Sequence, residues 1–313
     1  MFLGIDTSAY TTSLAIVQSN DHNEVKLDLR KVLDVKLGKR GLRQSEAVFQ
    51  HVKNLNELAN DYRAYPLKAV AVSVKPKPHL NSYMPVFKVG QTVANLMAKS
   101  LNIPLYEFSH QEGHIAAGLW STKGLNNKSK ILVIHISGGT SDILEVSGAV
   151  NNMKITDLGC STDLHAGQFV DRVGVMLGAE FPAGKTMDLW SKQSSNFDER
   201  LPSHVNKYNM SFSGPESAAK RLFDNGVSKE SLSKMVFMSI SRTLEKVIRY
   251  AYSKTKYNKV LIVGGVAANS FIRNDLVKRM PYNICFCNTS YSSDNAVGTA
   301  LLALKKYEKQ EEV

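Results

Sequence analysis

Residues 2–17 read FLGIDTSAYTTSLAIV, and residues 131–146 read ILVIHISGGTSDILEV. Each runs from an apolar β stretch through a turn of small or hydroxyl-bearing residues into a second β stretch, the pattern of a tight hairpin. The second turn carries Gly138-Gly139 where the first carries threonine and serine. One such hairpin alone is ordinary sheet structure. Its recurrence further along the chain predicts two related lobes. Two such turns facing each other across a cleft can hold phosphates through backbone N–H groups.

The segments around the hairpins alternate between helix and strand signals. Val48, Val52, Leu55 and Leu58 fall at helical spacing, Ala69 to Val74 reads as a short buried strand, and Val89, Val93, Leu96 and Met97 mark another helix. Lys75-Pro76-Lys77-Pro78 breaks the chain between that strand and helix, with its basic residues expected outside. Helix patterns cover roughly 166–178 and 229–253. Val260 to Val263 is a buried strand entering Gly264-Gly265, with a helix after it near Asn269. Ile284 to Cys287 reads as a last strand, and Asp294 is expected to open a closing helix through Leu304. The result is an α/β chain of two similar lobes. We expect them at residues 1–118 and 119–313, with the last helix packing back on the first.

Composition narrows the class. The chain has 313 residues, 43% of them hydrophobic and 21% charged, which suits two domains with real cores and excludes a disordered or fibrous chain. No apolar run approaches the roughly 20 residues of a membrane helix. Met1 to Asp6 reaches an acid too early for a signal peptide. Three cysteines are too few for a disulfide framework and point to a reducing cytoplasm. Cys285 and Cys287, two apart, read as buried thiols on one strand face rather than as a metal pair. The net charge of +11 serves either solubility or attraction to a polyanion. The basic residues recur at 36–43, 75–88, 99, 123–130 and 305–309, a scatter that fits broad contact better than a compact recognition motif.

Two constellations carry chemistry. In Ser109-His110-Gln111-Glu112-Gly113-His114 the histidines are four apart, so on a helix both imidazoles point the same way, as ligation of one metal requires. Asp294 is a candidate third ligand; as a helix opener it is also a candidate N-cap. The order of Glu112 and the histidines differs from the HExxH of zinc peptidases, so peptidase chemistry is not expected. The second constellation suits a nucleotide. Ser137, Gly138 and Gly139, and Gly264-Gly265 running on to Asn269, are glycine turns after strands where a backbone can approach a ligand closely. Asp171, Gly184 and Asp188 lie on helices between them. A plain solvated helix face is the other expectation for the two acids.

These residues match a family. The chain resembles the TsaD-type transferase subunit of tRNA threonylcarbamoyladenosine synthases, once called glycoproteases, from Phe2 to about Leu304. The markers are HQEGH at 110–114, SGG at 137–139, the span 166–184 ending FPAG, FSG at 212–214, GGVAAN at 264–269 and SSDNA at 292–296. The resemblance implies a duplicated actin, sugar kinase and heat-shock chaperone ATPase-like (ASKHA) fold with a nucleotide cleft between its lobes. It implies one divalent metal, iron or zinc, held by His110, His114 and Asp294. It also implies an adenylate or ATP-type ligand held by Ser137, Gly138, Gly139, Asp171, Gly184, Asp188 and Asn269. The family's reaction moves a threonylcarbamoyl group from threonylcarbamoyl-adenylate to N6 of adenosine 37 of tRNA. It therefore implies a cytoplasmic acyltransferase whose partners are tRNA and either further proteins or a second copy of the chain. No catalytic residue beyond the metal ligands is assigned.

The resemblance also has gaps. The family's first turn reads SCDET, and here Ser8-Ala9-Tyr10-Thr11-Thr12 stands in its place. Its GPGL loop is replaced by Lys75 to Leu80, exchanging glycine for proline and positive charge. The histidine after SGG is Thr140. These changes define a divergent member, with a non-catalytic nucleotide-binding partner of a true synthase as the alternative expectation.

Overall fold

Each quoted hairpin forms the centre of a five-stranded sheet. The computed structural model describes residues 1–8, 10–36, 39, 41–122, 130–194, 199–257 and 259–311. Ala9 of the first turn, Arg40, and Lys123 and Lys128 of the basic cluster at 123–130 lie outside the described residues. In the first half of the chain, β1 (Phe2–Asp6) and β2 (Thr11–Gln18) pair antiparallel from Phe2↔Val17 to Asp6↔Ser13, and β3 (Glu24–Val32) extends the edge. Then come α1 (Gln44–Asp61), β4 (Ala69–Lys75), α2 (Phe87–Leu101), β5 (Leu105–Ser109) and α3 (His110–Ser121). In the second half, β6 (Ile131–Ile136) and β7 (Ser141–Ser147) pair from Ile131↔Val146 to Ile136↔Ser141, with β8 (Lys154–Cys160) at their edge.

The remaining elements are α4 (Ala166–Met176), α5 (Gly184–Lys192), a small ladder of β9 (His204–Asn206) and β10 (Asn209–Ser211), α6 (Ser213–Asp224) and α7 (Lys229–Lys254). After them come β11 (Val260–Val263), a short 3-10 turn at Gly265–Ala268, α8 (Ser270–Arg279), β12 (Ile284–Phe286), α9 (Thr289–Ser292) and α10 (Val297–Glu311). The sheet orders are β3-β2-β1-β4-β5 and β12-β11-β6-β7-β8. Read from the hairpin edge inward, the second repeats the first: an antiparallel meander of three strands, then two parallel strands. This is the expected α/β duplication in two lobes. Among the described residues no helix is long and apolar enough to cross a membrane.

Helix faces depart from the sequence expectation. Val52 and Leu96, expected inside, are 55% and 64% exposed. α1 buries the expected Leu55 and Leu58, and with them Ala47, His51 and Asn54. Its polar members reach Thr12 on β2: the His51 Nδ1 lies 2.8 Å from the Thr12 hydroxyl, which also accepts from the Asn54 amide at 3.3 Å. α2 turns Gly90, Ala94 and Ala98 to the sheet because its backbone comes close there: the Gly90 N–H bonds the Thr7 hydroxyl at 3.1 Å. A face chosen by apolar content alone misses small and hydrogen-bonded residues, which pack closer than valine or leucine allows. Cys287 is buried as expected, just past the end of β12, whereas Cys285 is half-buried; both thiols are free and lie against one apolar cluster.

α10 lies on the first sheet although it ends the chain. Ala296, Val297, Ala300, Leu301, Ala303 and Leu304 bury against Phe2, Ala15, Val17, Ala69 and Ala71. Small residues set this approach, for a Cβ on Gly4 would overlap the Ala296 carbonyl. α3, in exchange, reaches the second sheet, where Ile115 and Leu119 join Val133, Leu261 and Val263. α3 and α10 cross at two glycines, and a Cβ on Gly298 would overlap the Gly113 carbonyl oxygen. Gly298→Ala should therefore cost about 1–3 kcal/mol of stability. Gly214→Ala, in a helix with open space around the site, should be neutral or slightly stabilising. Thermal unfolding of the two variants checks the difference; equal melting temperatures would contradict the close crossing.

Candidate metal centre and nucleotide cleft

The start of α3 is set by a capping box. The Ser109 hydroxyl accepts from the Glu112 N–H at 3.3 Å, and the Glu112 carboxylate accepts from the Ser109 N–H at 2.7 Å. Glu112 is thus engaged at the helix cap, where it stabilises the first turn. His110 and His114 come one turn apart on one face, at the crossing with α10. Asp294 reaches them from the link between α9 and α10. It does not cap α10: that task falls to Asn295, whose Oδ1 accepts from the Val297 N–H at 3.0 Å.

Three ligand-type atoms converge. His110 Nε2 and His114 Nε2 are 3.0 Å apart, and Asp294 Oδ1 lies 3.2 Å from the second and 3.5 Å from the first. Bonds of about 2.0–2.2 Å to one ion place neighbouring ligand atoms about 3.0–3.5 Å apart. The residues therefore fit a metal, and the donor set of two imidazoles and one carboxylate suits zinc or iron with open coordination positions. Asp6, at the end of β1, supplies what sequence reading missed: its Oδ2 lies 2.7 Å from His110 Nδ1. A carboxylate behind a ligating imidazole orients the ring and raises its basicity. The only signal for it was an acid closing a buried strand.

Burial opposes charge throughout this group, and the partners decide the outcome. Burial pushes the His110 imidazole down, but Asp6 and Asp294 on either side reverse this and raise it to about 10. Burial pushes both carboxylates up, and His110 reverses that too, with His114 adding its hydrogen bond at Asp294, so each lies below the usual carboxylate range. His114, buried beside a charged His110, is lowered. The two acids thus create a place for positive charge, which His110 fills with a proton where no cation is bound.

The nucleotide candidates lie on the second sheet and its helices. Ser137, Gly138 and Gly139 turn from β6 to β7, with the Ser137 N–H bonded to the Thr140 carbonyl at 2.7 Å. The N-terminus of α4 abuts this turn: a Cβ on Gly167 would lie 2.6 Å from the Gly138 nitrogen. Gly264-Gly265 ends the neighbouring strand β11, and Gly264, at φ 96°, leaves no room for a Cβ beside the Ile136 carbonyl. Asp171 on α4 accepts from the Ala183 N–H at 2.8 Å, just before Gly184 opens α5. Asp188 on α5 accepts from the Asn269 amide at 2.7 Å and from the Ser270 hydroxyl at 3.1 Å. Neither acid is a plain solvated helix surface. The bridge from the metal triad to these turns is His135 on β6, whose ring centroid is 4.7 Å from that of His114 and whose Cδ2 faces Gly264.

Two of the three departures in sequence reach across the junction of the lobes. Tyr10 packs edge-on against Phe181 at 5.0 Å between ring centroids. Lys77, expected exposed, instead pairs with the buried Asp142 at 2.6 Å, and His79 lies 2.8 Å from Asp157. A buried carboxylate left without a cation would be costly, which draws the lysine inward.

Two duplicated sheets with helices exchanged across the crossing and glycine turns at the strand ends define an ASKHA-type protein. Solved structures share the fold. The activator of the 2-hydroxyisocaproyl-CoA dehydratase from Clostridium difficile, with bound ADPNP, superposes with a TM-score of 0.56 at 16% identity, covering 100% of this chain and 98% of its own. The ROK family glucokinase from Streptomyces griseus, in complex with glucose and AMPPNP, gives 0.53 at 11% identity over 97% and 99%. HypF from T. kodakarensis gives 0.58 at 13% over 99% of this chain and 48% of its own.

The family model for TsaD, tRNA N6-adenosine threonylcarbamoyltransferase, matches residues 50–301, and the chain belongs to that family. The relative from Carboxydothermus hydrogenoformans is 28% identical over 316 residues, covering 98% of this chain and 92% of its own length. That from Thermus thermophilus is 31% identical over 71% of this chain and 67% of its own. Both bear the name tRNA N6-adenosine threonylcarbamoyltransferase.

Asp171 offers a test of the cleft's dryness. Burial raises its carboxyl to about 6 against the lesser effect of the Ala183 hydrogen bond. The unfolded value is about 3.9, so the folded state holds the proton longer and loses stability as pH rises from about 4 through 6. Asp171→Asn should be more stable than the parent by about 1–3 kcal/mol at pH 7.5 and no different at pH 4. Unfolding at both pH values checks this; a pH-independent difference contradicts it.

Proposed function

We propose that the protein is a metal-dependent threonylcarbamoyltransferase, moving the threonylcarbamoyl group from threonylcarbamoyl-adenylate to N6 of an anticodon-loop adenosine of tRNA. The observation that carries the reading is the meeting of His110, His114 and Asp294 at the α3–α10 crossing, beside the second sheet's glycine turns, in a chain of this family. Two lobes, residues 1–118 and 119–313, flank that meeting point. An iron or zinc ion held by the triad would supply Lewis-acid polarisation of the carbamoyl oxygen. Asp6 holds the His110 ring in orientation. The turn at Ser137, Gly138 and Gly139 would hold the phosphate, and Asp171, Gly184, Asp188 and Asn269 would frame the adenylate. That such a cleft takes an adenine nucleotide is supported by the ADPNP and AMPPNP in the two structural relatives.

In the transfer, N6 bonds the carbamoyl carbon as the bond from that carbon to the phosphate oxygen breaks; AMP leaves and N6 sheds one proton. Attack requires an exposed base, which an anticodon loop provides. The net charge of +11 supports tRNA as the partner.

Two measurements test this reading. Protein purified without chelators should carry about one iron or zinc per chain; His110→Ala should lose it, and Asp6→Asn should weaken it about 10–100-fold. A metal-free, folded parent would remove the metal from the proposal. Incubation with threonylcarbamoyl-adenylate, unmodified tRNA and the partner proteins of a working synthase, followed by nucleoside mass spectrometry, should yield threonylcarbamoyladenosine. Absence of product would sink the reaction, and nucleotide-dependent complex formation without turnover would instead identify a non-catalytic partner.

A further inference from the structure

Beside the metal triad lies a second group of buried polar side chains that the reading above leaves without a task. His135 and Asp142 stand directly opposite each other in the β6–β7 ladder, so both project from one face of the sheet. Gln111, which follows the first triad histidine, reaches the same place, its Nε2 donating to Asp142 Oδ2 at 2.9 Å. All three residues are 1% exposed. Yet Gln111 Oε1, both ring nitrogens of His135 and Asp142 Oδ1 have no hydrogen-bond partner among the described residues. Buried polar atoms in native proteins are nearly always paired, and one left unpaired costs about 1–3 kcal/mol. Four of them in one cluster mark a place that a ligand completes.

The loop that departs most from the family closes on this cluster. Lys77 pairs with Asp142 through the same Oδ2 that takes the Gln111 amide. The Pro76 carbonyl accepts from the Gln111 N–H at 3.0 Å, and His79 fastens the loop to Asp157 on β8. A first-lobe strap, stiffened by Pro76 and Pro78, is thus tied to second-lobe strands at two points. The ties are polar side-chain contacts, which a ligand can replace without disturbing either core.

We propose that Gln111, His135 and Asp142, with Lys77, form a subsite beside the metal triad for the hydroxy-ureido acid end of the acyl donor, and that residues 75–80 are its lid. The assignment rests on the threonylcarbamoyl-transfer reading and adds to it the means of choosing the acyl group. The chemistry matches atom by atom. Asp142 Oδ1 and Gln111 Oε1 need donors, which a hydroxyl and a ureido N–H provide. The His135 imidazole offers at least one N–H to a ligand oxygen. The Lys77 ammonium suits a carboxylate once the strap moves. An acyl group of the same shape without the hydroxyl leaves a buried acceptor unpaired, and sites of this kind reject such analogues strongly.

The test compares N-carbamoyl-L-threonine with N-carbamoyl-L-valine, its methyl isostere, by calorimetric titration of the metal-loaded full chain. The threonine compound should bind at least about tenfold more tightly. His135→Leu and Asp142→Asn should each bring the two compounds to within about threefold, with metal content unchanged. Equal affinities in the parent, no binding of either compound, or undiminished discrimination in both variants overturns the subsite. Should the variants fail to fold, the two compounds on the parent decide alone. Transfer to tRNA by a parent that does not distinguish the compounds rejects the subsite and keeps the transferase. Discrimination without transfer does the reverse.

Discussion

The site depends on one backbone contact, the crossing of α3 and α10 at Gly113 and Gly298. α3 leaves the first half of the chain carrying His110 and His114, and α10 returns from the far end just after Asp294. Because Gly113 and Gly298 carry no Cβ, the two backbones come close enough for three ligand-type atoms to lie within 4.8 Å. The same approach explains the small residues along α10. Ala296, Ala300 and Ala303 line it where it rests on the first sheet, with Ala296 and Ala300 over Gly4 of β1, so the closing helix lies deep against that sheet. A larger residue would move Asp294 with the helix, because core packing transmits displacement rather than absorbing it.

The electrostatics follow from that geometry. Asp6 and Asp294 approach His110 from different elements, and each would be unfavourable in the interior without the positive charge between them. Burial and pairing oppose each other at every member of the group. Pairing prevails at His110 and the two acids, and burial prevails at His114 and His135. The result is a locally anionic place at the junction of the lobes within a chain of positive net charge. This suits a bound cation there and a polyanion outside.

The strap at 75–80 shows how a changed loop can alter a site without touching its ligands. Replacing glycine by lysine and proline leaves the triad and the glycine turns in place. It adds cross-lobe ties to Asp142 and Asp157 and ties Gln111, inside α3, to the strap backbone. The strap thus adds ties across the junction of the lobes while the three ligand-type atoms keep their meeting point.

Much of the fold was legible from local pattern. The two hairpins, the strands at 69–75 and 260–263 and the long helix α7 announce themselves because strand alternation and helical spacing are properties of neighbouring residues. The two histidines were legible for the same reason, four apart on one helix face. The third strand of each lobe was not, because β3 and β8 are edge strands with one face in solvent and mixed polarity. On α1 and α2 the sequence placed Leu55, Leu58 and the valines correctly except Val52, but missed Leu96's exposure and the polar and small residues that Thr12 and Thr7 draw inward. The sequence by itself determined the duplication, the hairpins and the paired imidazoles. The tertiary structure alone decided that Asp6 stands behind His110, that Asn295 rather than Asp294 caps α10, and that Lys77, Gln111, His135 and Asp142 share one place. Those groups come from segments far apart in the chain, and their meeting is set by helix crossing and lobe packing, which no local periodicity records.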